Sequence, residues 1–342
     1  PPTTRRQRQM CIRDRDYHLP KSSIAQDPYK NPEDSKILDA ESMTIHQFEN
    51  IDNVIPNRSL LIFNNSQVID VRVKTIKKHT HGKVEIFILK IVDEYSADCL
   101  LKFNGKKKIG EEIELENFSV NIIKNVNDGF RIKFSLPLEQ IINNYGSTPL
   151  PPYIEDMDYK YEHYKTFFSK NGFSVAASTA ALHFTPNLFQ QLEKKDINIR
   201  YLNLDIGLGT FKPISTEYVE DYDIHSEDYE INEATYHEII AKKKIGYNIV
   251  CVGTTTLRTL EHVNNTSTFK GKTNLFITKG FKFNVADYLI TNFHAPKSSL
   301  LSIVQAIYGD SWKQLYAFAL ENNMKFLSFG DAVMFKIKNN GI

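Results

Sequence analysis

The sequence predicts an α/β protein in which a layered main domain carries an inserted antiparallel β-barrel domain. Helix-like and strand-like segments alternate after residue 153, as they do in α/β layer architectures. Short runs of alternating apolar and polar residues, broken by glycine turns, fill 66–147, which is typical of an antiparallel sheet or small barrel. A buried-strand pattern at 59–63 precedes this block. The β-rich block is therefore predicted to interrupt the main domain.

Length and composition set the broad class. The chain has 342 residues, enough for two domains, with 41% hydrophobic and 24% charged residues, which is ordinary for a globular protein. The formal net charge of +1 provides no overall basic field, so an RNA partner would meet a local patch. No apolar run is long enough for a membrane span, and no secretory signal is evident. Cys11, Cys99 and Cys251 match neither metal spacing nor a disulfide framework and favour the reducing cytoplasm.

The predicted domain boundaries follow from these changes in sequence pattern along the chain. Residues 1–15 are rich in arginine and lack apolar periodicity, so we expect a disordered or foreign N-terminal segment, with a basic RNA-binding arm as the alternative. The catalytic α/β domain is predicted to comprise 16–65 and 148–342, and the inserted barrel 66–147.

Apolar patterns and helix-boundary residues predict each element of the main domain. Pro186 suits the first turn of a helix, and a threonine is expected to cap the helix that follows the glycine at 253. The predicted elements are a strand at 59–63, a helix at 187–195, a strand at 197–204, a helix at 232–244, a strand at 248–252, a helix at 254–263 and a helix after Ser298 or Ser299.

Small, hydroxyl and histidine residues concentrate in five segments beside the ends of these elements. In the most informative, 287–301, a short apolar run leads to Asn292 and His294, Pro296 prevents a continuous helix, and Ser298 or Ser299 can cap the next helix. Sites of α/β proteins are commonly built at such strand-to-helix turns, although a capped turn with a structural histidine would give the same pattern. The other four segments are 177–185, 205–211, 224–227 and 252–258.

Two glycine turns permit a ligand to approach the backbone closely. Gly253 lies between a buried strand and a helix, where free amides favour a phosphate or a carboxylate; simple capping is the alternative. Gly207 and Gly209 permit a similar approach. That turn lacks the third glycine of a dinucleotide fingerprint and the lysine of a P-loop, so we predict neither site.

Histidines and one carboxylate are the candidate catalytic groups. His225 and Glu227 lie on the same face of an extended segment and are candidates for an acid–base pair, for two metal ligands, or for an exposed polar strand. His183 and His294 are each either structural or catalytic. A metal-dependent hydrolase would pool these four residues, but they lack a His-x-x-x-His spacing, and no Gly-x-Ser-x-Gly elbow supports a serine hydrolase. We predict no metal site.

Taken together, these motifs resemble the S-adenosylmethionine:tRNA ribosyltransferase-isomerases of queuosine biosynthesis. The resemblance covers nearly the whole chain after residue 15, and several segments in the right order make it specific. These segments are 16–20 with 24–26, 64–68, 149–154, 179–185, 207–213, 225–227, 252–255, 289–294 with 296–298, and 329–332.

The resemblance implies a fold, a reaction and partners. It implies an α/β domain with an inserted barrel. It also implies transfer and isomerisation of the ribosyl part of S-adenosylmethionine, a co-substrate, onto 7-aminomethyl-7-deazaguanine at the wobble position of tRNA, giving epoxyqueuosine-tRNA, adenine and methionine. We expect no other cofactor, no membrane partner, and a cytoplasmic monomer.

Residue roles follow from the matching motifs. His225 with Glu227 is the expected acid–base pair, and His183 or His294 is expected to orient the ribose or adenine. The residues expected to bind S-adenosylmethionine are Thr179, Ala180, Gly207, Gly209, Thr210, Gly253, Thr254, Thr255, Asn292 and Ser298; those expected to bind tRNA are Asn65, Arg72 and Lys74.

The chain departs from the residues that this family usually carries. Arginine is usual where the chain has Gln67, Asp156 and Pro32, and arginine forms bidentate bonds with phosphate or carboxylate. A diverged paralog that binds tRNA with altered or no turnover is therefore the second hypothesis, ahead of the metal-dependent hydrolase. The remaining departures are Lys165 for glutamine, Ser178 for proline, Ala181 for glycine and Asp205 for histidine.

Overall fold

Strands dominate the fold of the residues that the computed structural model describes, which are 11–126, 129–211, 214 and 216–338. These residues divide into two compact units, a larger one within 1–67 and 151–342 and a smaller one within 68–150. In chain order the strands are β1 (Lys36–Asp39), β2 (Thr44–Gln47), β3 (Ser59–Asn64), β4 (Ser66–Val68), β5 (Arg72–Ile76), β6 (Lys83–Ile91), β7 (Ser96–Phe103), β8 (Glu112–Glu114), β9 (Ser119–Val126), β10 (Gly129–Phe134), β11 (Gly146–Ser147), β12 (Asn171–Ser174), β13 (Asn198–Leu204), β14 (Glu227–Glu230), β15 (Asn248–Val252), β16 (Lys270–Thr273), β17 (Tyr288–Asn292) and β18 (Ala332–Lys336).

A nine-stranded sheet in the order β16-β14-β13-β3-β15-β17-β18-β1-β2 forms the larger unit. Its central strands β13, β3, β15 and β17 run parallel to one another. β3 is buried along its whole length, as expected of a strand covered on both faces. Because the four strands are parallel, the turns that follow residues 64, 204, 252 and 292 lie along one edge of the sheet, where α/β folds place ligands.

Alternate residues of β3 belong to two hydrophobic clusters, one on each face of the sheet. Leu60 and Ile62 pack with Leu257 and Leu260, whereas Leu61 belongs to a second cluster that includes the apolar residues of the helix after Thr185. Each such buried leucine or isoleucine contributes about 1.5–3 kcal/mol relative to an exposed one. This double cover is what the continuous apolar run at 59–63 predicted.

Seven α-helices in the described ranges accompany the sheets, and none of them is long and apolar enough to cross a membrane. Ser298 caps the helix after β17, because its hydroxyl oxygen accepts a hydrogen bond from the Leu301 amide over 3.2 Å, as predicted. The predicted threonine cap at 254 is wrong: Gly253 is the N-cap and offers no side-chain bond. The helices are α1 (Ile51–Val54), α2 (Leu138–Tyr145), α3 (Pro186–Lys194), α4 (Glu233–Lys244), α5 (Thr254–Thr266), α6 (Ser299–Tyr308) and α7 (Trp312–Glu321).

The smaller unit is built on an antiparallel sheet in the order β11-β5-β6-β7-β10-β9-β8. Its strands alternate buried and exposed residues, as in β7, where Ala97, Cys99 and Leu101 point inwards. The antiparallel character of this block is confirmed. An isolated antiparallel bridge also pairs Lys77 with Leu115, one residue beyond the ends of β5 and β8.

The first described residues are ordered. Ile12 donates its amide to the Glu217 carbonyl over 2.9 Å, and Ile12 and Arg15 are buried. The expectation of disorder does not hold for Ile12 and Arg15, because Ile12 packs with Val219 and the Arg15 carbonyl accepts a hydrogen bond from the Lys297 amide over 3.0 Å; the alternative of a foreign segment stays a prediction. Residues 1–10 of that predicted segment lie outside the described residues.

Candidate active site

A cavity of about 310 Å³ lies in the larger unit at the carboxyl ends of β13, β15 and β17. Each of these strands ends in a turn that contributes to the wall, and a fourth part comes from the segment 176–180. The cavity is lined by Tyr153, Tyr164, Ala176, Ala177, Ser178, Thr179, Ala180, Ile206, Thr210, Gly253, Thr254, Thr255, Thr291, Asn292, Phe293, His294, Ala295, Pro296, Ser298, Leu300, Leu327 and Ser328.

The amino terminus of α5 opens on this cavity without a side-chain cap. Gly253 has φ +91°, so the backbone conformation favours glycine, and a Cβ there would lie 2.9 Å from Ser178 Oγ, which would have to shift. The hydroxyls of Ser178 and Thr255 are buried and make no hydrogen bond within the described residues. Uncapped amides at a helix start, with two unsatisfied hydroxyls beside them, form a site suited to an anion.

Two histidines are associated with the end of β17. His294 lines the cavity, and its Nε2 lies 3.1 Å from Thr291 Oγ1. His183 is 4% exposed and does not line the cavity; it contacts Asn292, which does. Burial lowers the pKa of His183 to about 4 and that of His294 to about 3. Both imidazoles are therefore neutral at physiological pH and are suited to hydrogen bonding.

His225, Glu227 and Arg258 form a connected group behind the turn of Gly207 and Gly209. His225 Nε2 lies 3.1 Å from Glu227 Oε1, and Arg258 Nη1 donates to Glu227 Oε2 over 2.6 Å. The Gly207 amide also donates to Glu227 Oε1 over 3.0 Å. A Cβ on Gly209 would lie 2.1 Å from His225 Nδ1. The glycine turn therefore packs directly against the imidazole.

The Arg258 ion pair keeps the Glu227 carboxylate charged. Burial alone would raise the pKa of Glu227, but the hydrogen bond with His225 and the charge of Arg258 lower it below its ordinary value. A carboxylate that remains ionised suits orientation of a neighbouring imidazole better than proton shuttling. His225 and Glu227 lie together as predicted, and Arg258 holds the carboxylate that faces the imidazole; their acid–base role stays a prediction.

Most of the predicted ligand-binding residues meet at the cavity. The hydroxyl of Ser298 is occupied as the cap of α6. Those lining the wall are Thr179, Ala180, Thr210, Gly253, Thr254, Thr255, Asn292, His294 and Ser298. His183, His225, Glu227, Gly207 and Gly209 do not line it.

The residues predicted to bind tRNA are not among those that line the cavity. Asn65 borders a second, more polar groove of the larger unit together with Asp205, Asp228 and Glu230. Arg72 and Lys74 lie on β5 of the smaller unit, where Arg72 forms an ion pair with Glu85.

Several functional candidates were not predicted from the sequence. Arg258 lies one turn after Thr254 on α5. The burial of its side chain against Glu227 could not be inferred from that spacing. Tyr153 and Ser328, 175 residues apart, share a 2.7 Å hydrogen bond at the cavity wall. Tyr153 lies in the segment 149–154 that carries part of the family resemblance, but that segment gave it no role.

The charge and polarity of the wall restrict what can bind. Among the lining residues of the described chain, none carries a formal charge at neutral pH, since His294 is neutral. Aromatic rings of Tyr153, Tyr164 and Phe293 belong to the wall, and aromatic rings favour cationic and planar groups. The hydroxyls and amides at the turns provide the directional contacts.

A model of the queuosine biosynthesis protein family matches residues 12–335. The chain belongs to this family. A protein of Vesicomyosocius okutanii called S-adenosylmethionine:tRNA ribosyltransferase-isomerase is 42% identical, with 97% of this chain and 100% of the relative covered. A protein of the same name from Clostridium kluyveri is 35% identical over 96% of this chain and 100% of its own. The resemblance predicted from the motifs is thereby confirmed.

A solved structure supports the same membership. The crystal structure of the S-adenosylmethionine tRNA ribosyltransferase from Thermotoga maritima is 29% identical and superposes with a TM-score of 0.53, covering 94% of this chain and 99% of that one. This queuosine biosynthesis family member therefore shares its mixed α/β fold with a solved relative. Among the described residues, no three His, Cys, Asp or Glu side chains group to hold a metal ion.

Proposed function

We propose that the chain transfers and isomerises the ribosyl part of S-adenosylmethionine onto 7-aminomethyl-7-deazaguanine at the wobble position of tRNA, yielding epoxyqueuosine-tRNA, adenine and methionine. One observation carries the proposal: three motif-bearing segments, around Thr179, Gly253 and Asn292, converge on one cavity although they are far apart in sequence. The family membership of the chain and the names of its relatives support the same reaction.

The proposed position of S-adenosylmethionine follows from the chemistry of the wall. Its methionine carboxylate is assigned to the amino terminus of α5, where the hydroxyls of Ser178 and Thr255 have no partner within the described residues. The aromatic ring of Tyr153 at the wall suits the sulfonium or the adenine ring. The volume of about 310 Å³ lies at the lower end of the range for small-molecule pockets.

The reaction requires groups that move protons. The sulfonium acidifies the adjacent ribose carbon, so a base must remove that proton, and the departing adenine must be protonated. His225 is proposed as the proton-transfer group: it does not itself line the cavity, but it packs against Gly209, whose neighbour Thr210 does, and Glu227 orients its ring. His294, neutral and at the wall, is proposed to hydrogen-bond the substrate.

The acceptor is proposed to be tRNA, bound in part through Asn65, Arg72 and Lys74. Phosphate contacts by such side chains position the nucleic acid and make binding depend on salt. The bridge between Lys77 and Leu115 supports closure of the smaller unit into a barrel. A cytoplasmic monomer remains part of the proposal, consistent with a tRNA substrate and with the free thiols of Cys11, Cys99 and Cys251.

The direct test is incubation with S-adenosylmethionine and tRNA bearing the aminomethyl base, followed by mass spectrometry of the nucleosides and quantification of adenine. Equal amounts of epoxyqueuosine and adenine are expected. Salt-dependent tRNA binding with neither product would contradict the proposal and favour the non-catalytic paralog.

A further inference from the structure

A chain of buried hydrogen bonds runs inwards from the cavity wall, beginning at Thr179. Thr179 Oγ1 lies 2.7 Å from Asn292 Oδ1. Asn292 Nδ2 lies 3.3 Å from both the Gly330 carbonyl oxygen and His183 Nε2. His183 Nδ1 lies 2.9 Å from Ser35 Oγ, which is 2.7 Å from the Pro32 carbonyl oxygen. Four side chains thus connect the wall to the backbone carbonyl of Pro32.

The chemistry of its members fixes the direction of this chain. A carbonyl oxygen can only accept, so the Asn292 atom that faces Gly330 must be the NH₂ group, and the atom that faces Thr179 is the amide oxygen. An amide nitrogen can only donate, so His183 Nε2 must accept and Nδ1 must carry the proton. His183 Nδ1 then donates to Ser35 Oγ.

The two ends of the chain complete the same direction. Ser35 donates its single hydroxyl proton to the Pro32 carbonyl, which leaves its oxygen to accept from His183. Thr179 donates its single proton to Asn292 Oδ1. Thr179 therefore has only lone pairs left to offer, and it lines the cavity. The neutrality of buried His183 agrees with this arrangement, because burial lowers its pKa to about 4.

We propose that Thr179 acts in the cavity as a hydrogen-bond acceptor only, that His183 is the positioning residue that maintains this polarity through Asn292, and that the bound substrate donates a hydroxyl or amino hydrogen to Thr179. The inference rests on the proposed function for the identity of the substrate, but the direction of the chain does not. A group that can only accept at this position would meet a lone pair and be rejected.

The ligand side is tested by titration calorimetry with S-adenosylmethionine and four analogues, each lacking one donor: the 2′-hydroxyl, the 3′-hydroxyl, the adenine amino hydrogens or the methionine amino group. Thr179→Val should weaken the binding of S-adenosylmethionine about tenfold, the effect of one hydrogen bond, whereas Thr179→Ser should leave the affinity unchanged. One analogue should bind the wild-type chain about tenfold more weakly and be insensitive to Thr179→Val. Equal weakening of all five ligands by Thr179→Val, or no weakening, would overturn the inference.

The protein side is tested without a ligand. In the chain labelled with ¹⁵N-histidine, His183 should show the Nδ1–H tautomer at neutral pH; the Nε2–H tautomer or an imidazolium would overturn the proposed direction. His183→Gln retains an acceptor for Asn292 and should keep the affinity for S-adenosylmethionine within a few-fold of the wild type. His183→Leu should lose as much of that affinity as Thr179→Val does. Unchanged binding by His183→Leu would reject the positioning role. If S-adenosylmethionine fails to bind the wild-type chain, the proposed function fails, while the tautomer still tests the chain of bonds.

Discussion

Arg258 donates from Nη1 to Oε2 of Glu227 over 2.6 Å, and the two side chains are 5% and 1% exposed. The other carboxylate oxygen faces His225 at 3.1 Å. A buried carboxylate shared between a permanent cation and an imidazole stays ionised and holds the imidazole in one orientation. The orientation of His225 therefore depends on a residue that does not line the cavity.

Removal of the buried cation should affect both stability and catalysis. Arg258→Met leaves Glu227 as an unpaired buried charge, which typically costs about 3–5 kcal/mol. The pKa of Glu227 should rise, so the adenine-release activity of the variant should decline at a higher pH than that of the wild type when pH is lowered. Urea denaturation and a pH profile measure the two effects.

A double variant separates these effects. Glu227→Gln combined with Arg258→Met removes both charges and should recover part of the lost free energy of unfolding, but not the activity. Wild-type activity in the double variant would show that the ion pair has no part in orienting His225.

The glycine turn offers a matched pair of substitutions two residues apart. Gly209→Ala would place a Cβ 2.1 Å from His225 Nδ1 and displace the ring, whereas Gly207→Ala would place one at an ordinary 3.6 Å from Cδ2. A displacement of about 1 Å can cost on the order of 100-fold in rate. We expect such a loss of kcat for Gly209→Ala and a change within a few-fold for Gly207→Ala. Similar rates for the two variants would contradict the role of His225.

Removal of the imidazole itself should abolish most of the chemistry. His225→Gln should reduce adenine release by about 10²–10⁴-fold, the usual contribution of a positioned proton-transfer group. His237→Gln is the control, because His237 is an exposed histidine on α4 that also faces a glutamate, at 3.6 Å. Near-normal release by His225→Gln would reject the assignment.

The two neutral buried histidines predict a loss of stability in acid. The pKa of His183 is lowered to about 4 and that of His294 to about 3, from 6.5. Between these values the unfolded chain binds more protons than the folded chain, so stability is complete above about pH 6.5 and falls as pH decreases. At pH 5 the loss is on the order of 2 kcal/mol for each histidine.

Denaturation at pH 7.5 and pH 5 tests this linkage. His183→Gln should show a smaller difference between the two pH values than the wild type, and His237→Gln the same difference. An unchanged pH dependence in His183→Gln would contradict its neutral burial.

Local patterns predicted the elements well because burial on one or both sheet faces requires apolar residues at regular positions along the sequence. The strand at 248–252 has the predicted bounds, and the helix predicted at 232–244 begins one residue later. Contacts between side chains of different elements leave no such regular pattern in the sequence. Glu227 and Arg258 are 31 residues apart, and Ser35 and His183 are 148 apart. These pairs arise from packing, so the sequence indicated candidate segments for the site but not the pairings between them.

The most direct measurement compares S-adenosylmethionine binding by Gly253→Ala and Gly246→Ala. Both glycines have similar left-handed backbones, φ +91° and +86°, but a Cβ at 253 would lie 2.9 Å from Ser178 Oγ at the cavity wall, whereas none of the described atoms lies within 4 Å of a Cβ at 246. Calorimetry should show binding lost in Gly253→Ala and retained in Gly246→Ala. Equal affinities in the two variants would contradict the placement of the substrate in this cavity.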